Sequence, residues 1–258
     1  MWRRLAAASV RSEMEYRGSF FMHGIGHFFM ALTEIGGIWA LFARFGSIRG
    51  WSLAEVALLY GMANVSFGIA EWVSRGFDSF EGMVKSGTFD RVLLRPRGTI
   101  LLVAGSDFAV KRFGRLIQGL MIIGWAAHTL DLGWSGGRVG LLIAAVLGGG
   151  CLFAGVFVIQ ATVCFWTVET LEMMNIVTHG GLEAGEFPLE IYATWFRRLF
   201  TWIIPLACLN YLPALAILNR PGGSAMVGWL APLGEAAFLL LAVRVWHLGV
   251  RHYQSTGS

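Results

Sequence analysis

Long apolar stretches alternate with short polar ones along this chain of 258 residues. A helix that crosses a bilayer needs about 20 mostly apolar residues. The stretches of that kind predict six transmembrane helices, at roughly 20–43, 54–73, 103–127, 139–166, 195–218 and 230–250. We therefore expect an all-α integral membrane protein. It should form a single domain over residues 1–258, since no internal repeat and no low-complexity linker divides the chain.

The fifth apolar stretch is interrupted by Pro205 and Pro213. Proline removes a helical hydrogen bond and clashes with the preceding turn, so the helix proper should end near residue 210. The remainder, residues 211–218, reads YLPALAIL. We expect a possible re-entrant segment there, which is tolerated at membrane depth only where protein covers its backbone.

Composition excludes an ordinary soluble domain. The chain is 56% hydrophobic and only 14% charged, whereas soluble domains are about a quarter charged. A sequence pI of about 9.3 is common among nucleic-acid-binding proteins, but here the cations flank the apolar stretches. That placement is typical of membrane topology, so we expect membrane lipids and no nucleic acid as neighbours.

The distribution of lysine and arginine predicts the orientation. If the N-terminus is cytoplasmic, sixteen of the twenty lysines and arginines lie inside. The other four, Arg44, Arg49, Arg138 and Arg220, lie outside. The prediction is a multi-pass protein with both termini in the cytoplasm, and it places Arg197 and Arg198 among the inside residues.

Two amphipathic segments fall on the predicted cytoplasmic side. Residues 1–18 mix apolar positions with arginines, which favours a helix lying on the membrane surface, although a simple positive anchor fits nearly as well. Residues 86–98 read SGTFDRVLLRPRG, between the second and third spans. Such a segment either docks on another protein or lies on lipid headgroups, and composition alone leaves the two readings even.

A few polar side chains fall inside the apolar spans. Glu34 lies in the first span, Asn64 in the second and Glu235 near the start of the sixth. Ionisable groups at membrane depth are costly and usually face protein or a watery cavity. Glu34 and Asn64 are therefore candidates for a transport path or a subunit contact. The alternative is a purely structural side chain that is protonated or hydrogen-bonded within the bundle.

Catalytic and metal motifs are weak or missing. The chain has no P-loop of its own, and the G-x-S-x-G match at 133–137 lies in a short external turn rather than between a strand and a helix. His23 and His27 share a helix face, but no third ligand accompanies them. We expect no catalytic residue and no metal site, and hence no enzyme activity in this chain by itself.

Two ordered motifs resemble a known family. Residues 87–96 read GTFDRVLLRP, and a second run carries Phe165-Trp166, then Phe187-Pro188-Leu189, then Trp195-Phe196-Arg197 and Ile204-Pro205. Together they are similar to the motifs of bacterial ABC-2-type permeases, in the branch of compact six-span subunits. The resemblance extends from the N-terminal segment to the sixth span.

The resemblance implies a role and several partners. Members are the membrane half of ATP-driven exporters, pair as homo- or heterodimers, and reside in the bacterial inner membrane. ATP and Mg²⁺ would then bind a separate cytoplasmic ATPase, and this chain would hold no cofactor. The loop between the second and third spans would form a coupling helix on that ATPase, through Phe89, Asp90, Arg91, Val92, Leu93, Leu94 and Arg95.

The same resemblance allows lipid-like, glycolipid, peptide or hydrophobic drug substrates. Two other classes stay open on the residues alone: a secondary transporter that works without an ATPase, and, less favoured, a membrane-embedded enzyme. Inverted repeats would support the first, and a clustered nucleophile or metal set would support the second. Neither feature stands out in the sequence.

Overall fold

The computed structural model describes residues 33–106, 113–167, 171–202 and 207–253, and the regular elements within these ranges are all helical, as predicted. We number the helices α1 (33–45), α2 (Leu53–Ser74), α3 (Phe80–Lys85), α4 (Thr88–Leu93), α5 (Thr99–Ala104), α6 (Phe113–Thr129), α7 (Gly136–Val163), α8 (Leu171–Gly185), α9 (Thr194–Trp202), α10 (Leu212–Ile217) and α11 (Ala225–His252). Short 3₁₀ helices occur at Arg75–Phe77 and Leu189–Ile191, and a π-helical turn occurs at Ala207–Tyr211.

Within the described ranges, three helical stretches are long and apolar enough to cross a membrane: Leu53–Lys85, Gly136–Val163 and Ala225–His252. They coincide with the second, fourth and sixth predicted spans, so the chain is a multi-pass membrane protein. The third predicted span, 103–127, is described mainly as α6, and the first, 20–43, only in its last part, as α1. The count of six crossings stays a prediction.

Helix α7 lies at the centre of the bundle, with α2 on one side and α11 on the other. Its glycines allow both neighbours to approach closely. A Cβ at Gly149 would lie 2.6 Å from Ser66 Oγ of α2, and one at Gly155 would lie 2.8 Å from Phe238 Cδ1 of α11. Side chains at these positions would overlap their neighbours, so the glycines permit the close packing of the three helices.

The two ends of the bundle are distinguished by their residues. At one end α2 begins, where the Ser52 hydroxyl accepts a hydrogen bond from the Glu55 backbone and the Glu55 carboxylate accepts one from the Ser52 backbone. We call it the Trp51 end, and it is the end predicted to be external. At the other end, called the Phe165 end and predicted to be cytoplasmic, Phe165 packs against Trp246 near the end of α11.

The predicted fifth span, 195–218, is wrong as a single crossing helix. Its described part is divided into α9, the π-helical turn and α10. The chain lies at the Phe165 end at residue 165 and at the Trp51 end by Glu190, which bonds the Trp51 indole. The described helix between these points is α8, so α8 connects the two ends of the bundle.

Two features of the sequence explain this error. Glutamates and glycines in and after α8 make it less apolar than the stretch that follows. Prolines then break that more apolar stretch, and Pro213 falls in the first turn of α10. The segment predicted to be re-entrant, 211–218, forms the short helix α10, whose Leu215 packs in a cluster with Trp51.

The same geometry corrects the predicted position of Arg197 and Arg198. Both lie on α9, which follows Glu190 and the rest of the Trp51 end. Arg197 is close enough to the Tyr211 hydroxyl to act on it electrostatically, and Tyr211 donates to Glu190 at 2.6 Å. These two arginines therefore lie at the same end of the bundle as Arg220, whereas the sequence analysis placed them at the opposite end.

Some predictions fall outside the described residues. These are the interfacial helix at 1–18, the histidine pair His23 and His27, and most of the first span. The G-x-S-x-G match is described: the Ser135 hydroxyl accepts a hydrogen bond from the backbone of Arg138 and caps the start of α7. Its serine thus has a structural role at a helix N-terminus.

Candidate transport-path and docking sites

A group of polar side chains lies where α1, α2 and α6 meet. The Tyr60 hydroxyl of α2 donates to Glu34 Oε2 of α1 at 2.8 Å. The Gln118 amide of α6 donates to the same hydroxyl at 3.4 Å. Tyr60 is 2% exposed, whereas Glu34 is exposed on the surface of the chain. A buried phenol thus holds an exposed carboxylate in the stretch predicted to be the first span.

A second carboxylate joins this group from the end of α8. The Asn64 amide lies one turn after Tyr60 and donates both to the Tyr60 carbonyl and to Glu186 Oε1, each at 3.0 Å. Asn64 is buried, and Glu186 is half-buried. Tyr60 and Asn64 therefore connect carboxylates from two helices that are far apart in the chain.

The positive charge near this group belongs to Arg115 of α6. Its Nη1 lies 3.5 Å from Glu71 Oε2, and its guanidinium lies 5.1 Å from the centre of the Phe67 ring. Arg115 also interacts electrostatically with Glu34 and Glu186. The side chain of Arg115 is about one-third exposed, so the group is polar, charged and partly open at the surface.

We call this set the polar cluster; its members are Glu34, Tyr60, Asn64, Glu71, Arg115, Gln118 and Glu186. The structure places both sequence candidates, Glu34 and Asn64, in it. The sequence analysis missed the other members. Arg115 was counted among the cytoplasmic cations, and Glu186 lies between the fourth and fifth predicted spans. Ionisable residues within membrane spans are rare and usually functional, and this signal was available for Arg115, which lies in the third predicted span.

The loop between the second and third predicted spans carries two short helices, α3 and α4, at the Phe165 end. Phe89 of α4 is fully buried, with its ring 5.0 Å from Phe80 of α3 and 5.6 Å from Phe165 at the end of α7. Trp246 of α11 lies 4.9 Å from Phe80. These rings, with Tyr253, form an aromatic cluster that joins the loop to the spans.

This cluster corrects one predicted site residue. Phe89 was expected to belong to the face that docks on a partner, but it is turned inward and is 0% exposed. Tyr253 lies 5.0 Å from the Phe89 ring. Burial raises the pKa of the Tyr253 hydroxyl to about 12, and the nearby Asp90 carboxylate adds to the shift. The hydroxyl is therefore neutral at about pH 7.

The other apolar residues of the segment are directed differently. Leu93 is 39% exposed and Leu94 is 85% exposed, while Val92 is half-buried against the aromatic cluster. Arg91 and Arg95 are exposed beside them. We call Leu93 and Leu94 with Arg91 and Arg95 the docking face. It consists of two exposed leucines with arginines beside them, on a short helix whose Phe89 is buried in the core.

The apolar crossing helices, with a polar cluster beside them, are those of a multi-pass membrane protein. The chain belongs to the ABC-2 family of transporter proteins, whose family model matches residues 28–257. It is therefore the membrane permease of an ABC transporter, which implies an ATPase partner. The resemblance stated from the sequence motifs is confirmed. Neither curated proteins nor solved structures gave a match.

Proposed function

We propose that this chain is the membrane-spanning subunit of an ATP-driven exporter, with ATP and Mg²⁺ bound by a separate cytoplasmic ATPase. The chain itself would then be neither an enzyme nor a cofactor-binding protein. One observation carries this proposal: the docking face presents Leu93 and Leu94 to solvent on a segment whose neighbour Phe89 is fixed in the core. Two exposed leucines on a rigid base are suited to bind a groove on a partner protein.

The aromatic cluster supports a coupling role for the same segment. Phe89 contacts Phe165, which follows α7, and it contacts Trp246 of α11. Phe77, directly after α2, also contacts Trp246. A shift of the docking face would therefore press on the ends of three long helices at once, because packed aromatic rings transmit displacement rather than absorb it.

The polar cluster supports a transport path or subunit contact on the face formed by α1 and α2. Glu34 is exposed although the stretch around it is predicted to cross the membrane. A carboxylate facing lipid hydrocarbon is costly. In the assembled transporter Glu34 is therefore covered by a second copy of this chain or by a paralogue, or it faces an aqueous path between the two subunits.

The remaining parts of the proposal follow from family membership. The substrate is lipid-like, a glycolipid or a hydrophobic drug-like molecule, and it is exported. The transporter lies in the bacterial inner membrane, and both termini of this chain face the cytoplasm. The mostly apolar surface of the crossing helices is consistent with a substrate that enters from the bilayer.

The test is purification of the full chain from its host membrane, followed by measurement of ATP turnover. We expect an ABC ATPase to co-purify and to hydrolyse ATP faster when the bound chain is supplied with lipid or drug substrates. Substrate accumulation without any ATPase, driven by an ion gradient alone, would instead favour the secondary transporter. The G-x-S-x-G turn and the histidine pair give no comparable support for an enzyme.

A further inference from the structure

Glu235 of α11 is a carboxyl group inside a crossing helix, and it is 0% exposed. Neither of its oxygens has a hydrogen-bond partner among the described residues. More than nine in ten buried polar groups in proteins are hydrogen-bonded, so a buried carboxyl with both oxygens unpaired calls for an explanation. The polar cluster does not supply one, because that cluster is built on α1, α2, α6 and the end of α8.

The position of this carboxyl depends on a glycine of the facing helix. A Cβ at Gly148 of α7 would lie 2.1 Å from Glu235 Oε2 and 2.9 Å from Pro232 Cα. Any larger residue at 148 would therefore occupy the space in which the carboxyl lies. Gly148 thus provides a slot on α7 that matches the Glu235 side chain.

Among the residues that the structure describes, the titratable groups around this slot supply no cation. On α7, Cys151 is the nearby titratable side chain, while Arg138 lies at the helix start and bonds the Leu132 carbonyl. Helix α10 carries no ionisable residue, and Tyr211 of the π-helical turn donates to Glu190. On α11 itself the next ionisable residue is Arg244, which is exposed.

An ionised carboxylate cannot be stable in such a place. Moving a charge from water into an apolar interior costs several kcal/mol even after relaxation, unless a partner offsets it. No described cation or hydrogen-bond donor offsets it here. The carboxyl must therefore carry a proton in this conformation, although a glutamate side chain in water is ionised at neutral pH.

Two nearby features allow α11 to move away from α7. Pro232 lies inside α11, one turn before Glu235, and lacks the N–H that would otherwise bond the Gly228 carbonyl. Glycines at 148–150 weaken the preference of α7 for a straight helix at the same level. Both helices can thus bend where the carboxyl is enclosed.

We propose that Glu235 is a proton-binding site, which holds a proton while α11 is packed on Gly148 and releases it when the two helices separate during transport. On separation the carboxyl meets water and its O–H bond breaks. The electron pair stays on the carboxylate and the proton passes to water. Repacking of α11 requires that a proton return. Binding of the proton is independent of the proposed function, whereas its release during transport rests on it.

The first test is infrared spectroscopy of the purified full chain in lipid nanodiscs at about pH 7 to 8, where free glutamate is ionised. We expect a protonated-carboxyl C=O band in the wild type that Glu235→Gln lacks. Glu81→Gln, at a glutamate paired with Lys85, should retain the band. Gly148→Ala should shift the band in the wild-type background and leave the E235Q spectrum unchanged. Identical spectra for wild type and E235Q would overturn the proposal.

The second test uses the chain assembled with its ATPase, and measures ATP turnover against pH. Above the pH at which proton return becomes limiting, wild-type turnover should fall about tenfold per pH unit, because the protonated fraction falls by that factor. E235Q should show no such fall. Coincident pH profiles would refute proton release during the cycle. The spectroscopic test needs no ATPase, so a failure of the proposed function is distinguished from a failure of the proton site.

Discussion

Arg220 binds both carboxylate oxygens of Glu55, although 165 positions separate the two residues in the chain. The distances are 2.9 Å from Nε to Oε1 and 2.8 Å from Nη2 to Oε2. The guanidinium also lies 4.2 Å from the centre of the Trp51 ring. The turn between α10 and α11 is thereby fixed to the start of α2, which closes the Trp51 end of the bundle.

Arg220→Ala should lower the stability of the chain. The side chains of Arg220 and Glu55 are only 21% and 15% exposed, so the loss leaves a largely buried carboxylate without its cation. Hydrogen bonds to charged groups contribute about 1.5–3 kcal/mol, and we expect a loss in that range. Thermal unfolding of the purified chain measures it. Arg44→Ala, at an exposed arginine near Phe45, is the control and should change stability by less. Equal melting temperatures for the two variants would contradict this role of Arg220.

Cysteine labelling tests the topology, including the corrected position of α9. An impermeant thiol reagent added outside should reach single cysteines at Ser47, Ser135 and Ser224, which are exposed and lie in turns predicted to be external. Thr194→Cys at the start of α9 should be labelled from outside as well. If Thr194→Cys is labelled only from the cytoplasm, α8 does not cross the membrane. Labelling of the N-terminus from outside would contradict the predicted orientation of the whole chain.

Glu34→Gln should reduce substrate-stimulated ATP turnover while assembly with the ATPase is retained. The change removes the charge of the exposed member of the polar cluster but keeps an acceptor for the Tyr60 hydroxyl. Tyr60→Phe, which removes that donor, should have a smaller effect in the same direction. Glu81→Gln, far away at the Phe165 end, serves as the control. Normal coupled turnover in Glu34→Gln would support a structural role for the carboxyl.

Phe89→Ala should destabilise the chain itself, whether or not an ATPase is present. The ring is fully buried among Phe80, Phe165 and Tyr253. Truncating a buried phenylalanine costs about 3–5 kcal/mol in the proteins where it has been measured. Thermal unfolding of the isolated chain should show that loss. A variant that is as stable as the wild type but fails to bind the ATPase would return Phe89 to the docking face.

Hydropathy and motifs predicted the family, the helical class and three of the crossing helices. Those features depend on runs of apolar residues, such as Gly136–Val163, which are visible without contacts. The position of α8 between the two ends of the bundle could not be predicted in this way, because polar groups at its C-terminal end find their partners only in distant segments. Gly185, for example, accepts a hydrogen bond from the Asn210 amide, and Glu186 accepts one from Asn64.

For the docking segment and for Glu34 too, the sequence shows the local pattern but not the contacts with residues far away in the chain. The amphipathic character of residues 86–98 left docking and lipid contact even and only the family resemblance implied docking, but sequence spacing could not tell which apolar residues point outward. Phe89 is inward because rings from α7 and α11, far away in the chain, surround it. Glu34 was a candidate on its own, yet its partner Tyr60 belongs to another helix and carries no signal in the sequence.

The most direct measurement of the central claim is ATPase pull-down by the chain carrying Leu93→Asp and Leu94→Asp. Burial of one leucine contributes about 1.5–3 kcal/mol, which is about a tenfold to hundredfold change in affinity. The double variant should lose the ATPase while it still inserts into the membrane. Leu93→Ala with Leu94→Ala should lose it in part, and Arg95→Ala should do less, since a charge at the rim contributes little. Our account predicts that the double aspartate variant loses the most ATPase, the double alanine variant less and Arg95→Ala the least. Full retention by the double aspartate variant would contradict it and place the segment on the lipid surface.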